Sequence, residues 1–364
     1  MKLVFWHNII SPHQSPVVRE LANAGHDVLL VTFEDMSEDR RQLGWDIPLL
    51  APARILLCPK LSQVDNIVRE SPPDAIHIIA GARAVPLGAK VAISCHTIGR
   101  RMGIITESPD PRGLGGLLRR LKYGWERLYI GGHFDFILAM GQQGVEWFRL
   151  CGYPSELIFP YSYVTEPQPV SPAQEAHRRF RFIFVGRLVH LKGLDILLKA
   201  LKNIPDVELL VIGDGPERKS LEDLAAKCKI VSQIRWMGQM QNKQTLAYLA
   251  DADVLVLPSR KDGWGAVVNE ALMAGIPVIC SSACGASDLI CHSWLGTVFP
   301  ANHEVSLKEA LLAWSQKGVM NAEQKQKVKR WAQCIEGRAI ARYLEEILAH
   351  VYEDKSRPEV PWRE

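Results

Sequence analysis

The chain is predicted to be an α/β protein of two doubly wound domains facing a cleft, and three observations predict it. Short apolar runs alternate with helix-patterned segments from Leu3 to Cys151. The alternation lapses between Pro160 and Arg181, where Pro160, Pro167, Pro169 and Pro172 stand among Ser and Gln as a linker. It restarts at Phe182 and runs to Cys280. Alternating βα units of this length build parallel sheets covered on both faces. The lapse divides the chain into domains over residues 1–165 and 166–337, and a last helix, 338–364, is placed to cross back onto the first.

In the first domain, Leu3 to Trp6 reads as a strand and Pro16 to Ala24 as a helix, with Ser15 as N-cap and Gly25 as stop. Val28 to Phe33, Ile55 to Cys58, Ala75 to Ile79, Val91 to Ser94 and Phe136 to Met140 read as further strands. Val64 to Glu70, a segment near Ala82 to Ala89, and Gln142 to Cys151 supply helices. In the second domain the strands are Phe182 to Val185, Leu209 to Ile212, Ile234 to Met237, Val254 to Leu257 and Val278 to Cys280. Its helices are Leu194 to Leu201, Pro216 to Ala226, Leu246 to Ala250 and Ala266 to Ala274, the last closed by Gly275 and Pro277. Ile340 to Val351 is an amphipathic terminal helix. Ligands of such sheets lie beyond the carboxyl ends of the strands. Asn8 to Gln14, His96 to Met102 and the loop at Pro258 hold such positions.

The totals fit this picture. The chain has 364 residues, 47% hydrophobic, ample for two cores. A net charge of +3 is too mild to argue for nucleic acid. No run of 18 apolar residues is present, and the N-terminus turns polar at His7, so it reads as a strand rather than a leader. Eight scattered cysteines lack CxxC spacing; Cys280, Cys284, Cys291 and His292 read as thiols and an imidazole around a strand rather than a metal site. A cytoplasmic protein is expected.

Chemistry concentrates in Ser259 to Pro277. A strand, a Gly-bearing loop and a helix start converge backbone N–H groups on an anion. Asp262 and Glu270 bracket that site, and carboxylates beside a phosphate site are suited to sugar hydroxyls. Gly186 ends the first strand of the second domain, and Arg187 and Lys192 follow in its loop. A planar guanidinium and a compact ammonium together hold a diphosphate without a metal ion. Two strings are read as decoys: Asp251-Ala252-Asp253 precedes its strand and serves the turn, and Gly213-Asp214-Gly215 is a tight turn.

The strings FVGRLVHLKGLDILLKAL, LLVIGDGPER, IRWMGQM, DADVLVLPSRKDGWGAVVNEALMAGIPVICS and ACGASDLI, in this order from about Phe182 to Pro300, resemble the retaining nucleotide-sugar glycosyltransferases of family 4. The resemblance implies a GT-B architecture of two Rossmann-like domains, the first for an acceptor and the second for a nucleoside-diphosphate sugar. It implies that Arg187 and Lys192 bind the diphosphate and that Glu270 accepts the ribose hydroxyls. Asp262 would reach the donor sugar, with Gly263 and the backbone N–H groups of Trp264, Gly265 and Ala266, while Met237 and Gly238 line the base. His96, after KVAISC, matches a position where a His faces the donor, so Arg187, Lys192, Asp262 and His96 form the expected catalytic set. The family usually has Glu where this chain has Asp262, and Asp288 likewise stands where a Glu is common.

Acceptor-side candidates are Asn8, His13 and Gln14 beyond the first strand, and Glu107 and Arg112 in a long loop. Leu114, Leu117, Leu118, Leu121, Trp125 and Leu128 share one helix face, with Arg119, Arg120, Lys122 and Arg127 off it. Packing on the domain core is the simplest use of that face. Its cationic excess, with Tyr123, Trp125 and Tyr129, also suits residues 114–130 to an anionic membrane on which a lipid-linked glycan acceptor sits, at the inner face. The expected reaction is metal-independent, cofactor-free transfer from the nucleoside-diphosphate sugar to a hydroxyl of a glycan or lipid-linked glycan. A nucleotide-sugar epimerase on the same architecture and a catalytically silent partner are the alternatives.

Overall fold

The run Leu3 to Trp6 lies at the middle of a seven-stranded sheet. A computed structural model describes the chain except residues 37–40, 42–44, 58–59, 82–85, 129–130, 167–178 and 364. The strands are β1 (Lys2–His7), β2 (Asp27–Thr32), β3 (Arg54–Leu57), β4 (Ile76–Ala80), β5 (Arg101–Thr106), β6 (Phe136–Met140) and β7 (Ile158–Tyr161). They lie in the order β3-β2-β1-β4-β5-β6-β7, every pairing parallel. Around them run α1 (Ser15–Asn23), α2 (Val64–Glu70), α3 (Pro86–Thr97), α4 (Gly113–Arg127) and α5 (Gly141–Leu150).

A second sheet contains β8 (Phe180–Val185), β9 (Val207–Ile212), β10 (Ile234–Gly238), β11 (Val254–Leu257), β12 (Val278–Ser281) and β13 (Gly296–Phe299). Its order is β10-β9-β8-β11-β12-β13, again parallel throughout. The helices with it are α6 (Leu194–Ala200), α7 (Arg218–Cys228), α8 (Asn242–Asp251), α9 (Val267–Met273), α10 (Glu304–Lys317) and α11 (Ala322–Ala332). Phe182, Phe184, Leu209, Val211, Val254 and Val256 are buried in one core, as strands covered on both faces require.

Contacts divide the chain into two units. One comprises Met1–Gln42, Asp46–Glu166 and Cys334–Glu364; the other comprises Leu43–Trp45 and Pro167–Gln333. The terminal helix α12 (Gly337–Glu353) lies in the first unit. Gly337 sits so close to Pro16 that a Cβ there would come within 2.8 Å of it. His26 Nε2 meets Glu345 Oε1 at 2.6 Å, and Tyr352 donates to Asp135 at 2.8 Å.

Several expectations are corrected. Val91 to Ser94 is not a strand but the middle of α3: Val91, Ala92 and Cys95 are buried while Ile93 is 47% exposed, a helical rather than alternating pattern. The strand of that region is β5, where His96 to Met102 reads as a loop in the sequence. Gly103 interrupts its apolar pattern, because the Phe136 ring of the neighbouring strand occupies the space a Cβ would need. Pro160 lies within β7, not in a linker; β7 is an edge strand, where proline's missing N–H costs no ladder bond. Pro167, Pro169 and Pro172 lie outside the described residues, as do Tyr129 and residues 82–85. Ser15 is inside α1, its hydroxyl bonded back to the Ser11 carbonyl at 2.8 Å instead of capping. The apolar face of α4 is not packed on the core: Leu114 is 81%, Leu118 66% and Trp125 60% exposed.

Candidate functional site

In each sheet the strand order reverses once, and the loops on either side of such a reversal splay apart to leave a crevice at the carboxyl ends. In the second unit the reversal falls between β8 and β11. The loop after β8 carries Gly186, Arg187 and Lys192, and the loop after β11 carries Ser259 to Ala266. Topology thus brings the two strings with phosphate and sugar chemistry to one crevice. Lys192 Nζ lies 2.5 Å from Asp262 Oδ2 and pairs with that carboxylate. Arg187 is exposed, and its guanidinium has no hydrogen-bond or ion-pair partner among the described residues.

The crevice is built stiffly. Gly193 has φ +67° and abuts the Pro258 carbonyl, where a Cβ would come within 2.2 Å. Arg260, which no sequence pattern singles out, donates two bonds to the Asp195 carboxylate at 2.6 and 2.8 Å and one to the His190 carbonyl at 2.9 Å. That fork ties the Lys192 loop to the Asp262 loop. Asp262 is held from behind by backbone bonds to Ala283 and Gly285. Gly265, φ +93°, lets the chain turn where a Cβ would strike Cys284 Sγ at 2.7 Å. Trp264 contributes through its backbone; its ring is buried and donates to Asn269 Oδ1 at 2.8 Å.

The N–H groups of Gly265, Ala266 and Val267 donate to no acceptor among the described residues, as expected before the first turn of α9. Glu270 stands in that turn, half-buried, with no ion-pair partner among the described residues, and burial pushes its pKa up to about 7. Met237 and Gly238 end β10, two strands from β8, and the Gly238 carbonyl accepts from Gly213 at 2.8 Å. Asp251 and Asp253 do serve the turn: both bind the buried Arg181, which also reaches Glu208 at 2.9 Å.

In the first unit the reversal lies between β1 and β4, and a cavity of about 490 Å³ opens there. Asn8, Gln14 and Glu107 line it. His13 and Arg112 do not. The Arg112 guanidinium is engaged by Asp110 at 2.8 and 2.6 Å, and the His13 ring lies 5.7 Å from that of Tyr163. His96 is corrected outright. It sits in the last turn of α3, which feeds the amino end of β5, and stacks on His133, which precedes β6, at 3.7 Å. That is the amino end of the strands, whereas the cavity lies at their carboxyl ends, so the strand that would have carried His96 to a ligand does not exist. His7, which the sequence reading passed over as the end of a strand, lines the cavity instead.

By fold the chain is a two-unit, doubly wound α/β protein of the GT-B type. Residues 170–331, within the second unit, match the family described as glycosyl transferases group 1. An uncharacterised glycosyltransferase of Methanocaldococcus jannaschii is 32% identical over 130 residues, 36% of each chain. A GDP-mannose-dependent alpha-(1-6)-phosphatidylinositol monomannoside mannosyltransferase of Mycobacterium tuberculosis is 31% identical over 149 residues, 36% of this chain and 38% of that one. The match therefore spans little more than a third of the curated relatives' length. Anabaena HepE, solved in complex with UDP, shares the fold with a TM-score of 0.74 at 17% identity, over 96% of this chain and 100% of that one.

Proposed function

We propose that the chain is a retaining glycosyltransferase of the family 4 type, moving a sugar from a nucleoside diphosphate to a hydroxyl of a glycan or lipid-linked glycan. The observation that carries this reading is the Lys192–Asp262 pair beside the unpaired Arg187 at the switch point of the second sheet. Without donor, Lys192 is neutralised by Asp262. A diphosphate draws Lys192 and Arg187 to its oxygens, and Asp262 is released toward the hydroxyls of the attached sugar. Glu270 takes the ribose hydroxyls. Two cations and the N–H groups of Gly265 to Val267 then offset the charge on the leaving diphosphate, so the reaction needs no metal ion. With Asp262 and Glu270 both committed to binding, attack comes from the face the diphosphate leaves, and a phosphate oxygen takes the acceptor's proton. A glycosyl adduct trapped on either carboxylate would refute that route. The exposed apolar face of α4 and its flanking arginines support docking on an anionic membrane that holds the acceptor.

The test is thermal stabilisation by UDP, GDP, ADP and their sugar conjugates. A nucleotide at a hundred times its Kd adds about 2.7 kcal/mol of stability. One nucleotide is expected to stabilise the protein, with the effect lost in Lys192→Ala and unchanged by EDTA. Folded protein that responds to none of them overturns the reading.

A further inference from the structure

The loop after β12 packs against the loop that carries Asp262. Asp262 and Cys284 form a parallel bridge, the Asp262 N–H donating to the Ala283 carbonyl at 3.0 Å and the Gly285 N–H to the Asp262 carbonyl at 3.2 Å. Gly285 permits this approach, since a Cβ there would come within 2.2 Å of the Gly263 carbonyl. The packing grips one carbonyl in particular, that of Trp264. It accepts the Ala286 N–H at 2.8 Å and the Cys284 thiol at 2.8 Å, and a carbonyl has a lone pair for each. The Cys280 thiol beside Cys284, together with burial, holds the Cys284 pKa well above the ordinary thiol value, so Cys284 keeps the proton it donates.

The Trp264–Gly265 peptide is trans, and a trans peptide is planar with its C=O and N–H pointing in opposite directions. Fixing the Trp264 carbonyl toward Cys284 and Ala286 therefore turns the Gly265 N–H away from them. That N–H donates to no acceptor among the described residues, and Gly265 is half-buried rather than enclosed, so a ligand can reach it. The Asp262 carboxylate, paired with Lys192, lies 3.6 Å from where a Gly265 Cβ would be, which sets this peptide beside the cation of the crevice. A glycine peptide flips readily when nothing holds it, because glycine tolerates φ of either sign. A flipped peptide would present the Trp264 carbonyl oxygen where the N–H stands. For a ligand with phosphates, a charge-assisted hydrogen bond would be replaced by a repulsion.

We propose that Cys284 is a positioning residue of the donor crevice: its S–H, with the Ala286 N–H, holds the Trp264 carbonyl inward so that the Gly265 N–H is presented to the donor's diphosphate. Cys284 is buried and touches no ligand; it acts only through the peptide above it. Neither the family match nor the sequence motifs give it this role. The inference rests on the nucleotide-sugar reading and adds to it the device that orients one N–H group of the site. Because Gly265 stands beside Asp262, which faces the sugar, the phosphate it meets is the one that bears the sugar.

Of the ten tryptophans only Trp264 is followed by glycine. Protein labelled with ¹³C-carbonyl tryptophan and ¹⁵N-glycine therefore gives one carbonyl–amide correlation by NMR, that of this peptide. The full chain, Cys284→Ala and Cys284→Ser are each titrated with UDP, GDP and ADP and with UMP, GMP and AMP. In the parent, the diphosphate that binds is expected to move the Gly265 N–H resonance saturably, and its monophosphate much less. Cys284→Ala should shift the Trp264 carbonyl resonance and weaken that diphosphate about tenfold, the loss of one charge-assisted hydrogen bond, while the monophosphate stays within about twofold. Cys284→Ser still donates and should stay within about threefold of the parent for both. A loss common to monophosphate and diphosphate would make Cys284 merely structural and overturn the proposal. So would a Cys284→Ala protein whose carbonyl resonance and diphosphate affinity match the parent's. If Cys284→Ala does not fold, the parent still decides: a diphosphate that binds without moving the Gly265 N–H overturns the proposal. A parent that binds no nucleotide removes the donor reading and this proposal with it, an outcome distinct from binding that Cys284 does not influence.

Discussion

Glu270 shows what the site asks of a single residue. It is half-buried, and burial raises its pKa from 4.5 to about 7. Between those values the folded protein keeps the proton that the unfolded chain has lost. Glu270's contribution to stability is thus fully present below pH 4.5 and is lost as pH rises to about 7. Glu270→Gln removes that dependence. Above pH 7 the variant is expected to melt higher than the parent, and near pH 4 the two should coincide. On the proposed reading of Glu270 as the acceptor for ribose hydroxyls, the same change should also weaken the stabilising nucleotide by about tenfold or more. Melting curves across pH, with and without nucleotide, check both halves; a difference independent of pH would assign the strain elsewhere. The positions of Asp262 and Glu270 were legible in the sequence because their loop and helix lie between a strand and a Gly-Pro stop. His7 was not. A histidine closing an apolar run looks the same whether it ends a strand in solvent or floors a cavity, and the difference lies in residues up to Tyr163 that reach it only through the fold.

At the scale of the element, α4 is the outlier. Amphipathic helices usually bury their apolar face against their own domain. This one turns Tyr123 inward and leaves Leu117, Leu118, Leu121 and Trp125 in solvent. If the face serves a membrane, Leu117→Gln/Leu118→Gln should leave the melting temperature almost unchanged, within about 0.5 kcal/mol of stability. It should also cut binding to phosphatidylserine vesicles by about a hundredfold or more, since burying each of the two leucines contributes about 1.5–3 kcal/mol. Sedimentation with anionic and neutral vesicles at two salt concentrations measures this. A loss of stability of about 2–5 kcal/mol would mean the leucines pack within the protein instead. The periodicity of α4 was readable, but the direction of its face was not. Composition fixes which residues share a stripe; only the neighbours decide what the stripe meets. Two of the four edge strands, β7 and β13, were missed for a related reason. β7 contains Pro160 and β13 has only four residues, and pairing on one side suffices to hold each against the weak signal of its own sequence.

At the scale of the whole molecule the chain passes from the first unit to the second and back, and the return is structural for the first. The segment Cys334–Glu364 places Ile340, Tyr343, Leu344, Ile347, Leu348 and Trp362 in buried positions of that unit. Full burial of a large apolar side chain contributes about 1.5–3 kcal/mol. Six of them exceed or match the roughly 5–15 kcal/mol by which a domain is stable. Arg357 adds to the closure from the tail, donating to the Glu156 and Ile158 carbonyls and lying over the Phe159 ring at 4.1 Å. The second unit spends none of these residues, since its last helix, α11, ends at Ala332. Truncation after Gln333 should therefore act on one unit only. Residues 1–166 are expected to become protease-sensitive and to lose their cooperative transition. Residues 179–333 should keep theirs and still be stabilised by the nucleotide that stabilises the full chain. Limited proteolysis with mass mapping, followed by a melt with and without nucleotide, separates the two. Loss of the nucleotide response in a still-folded second unit would show that donor binding needs the first unit, and a truncated first unit that stays resistant would show that the terminal segment is dispensable for its fold.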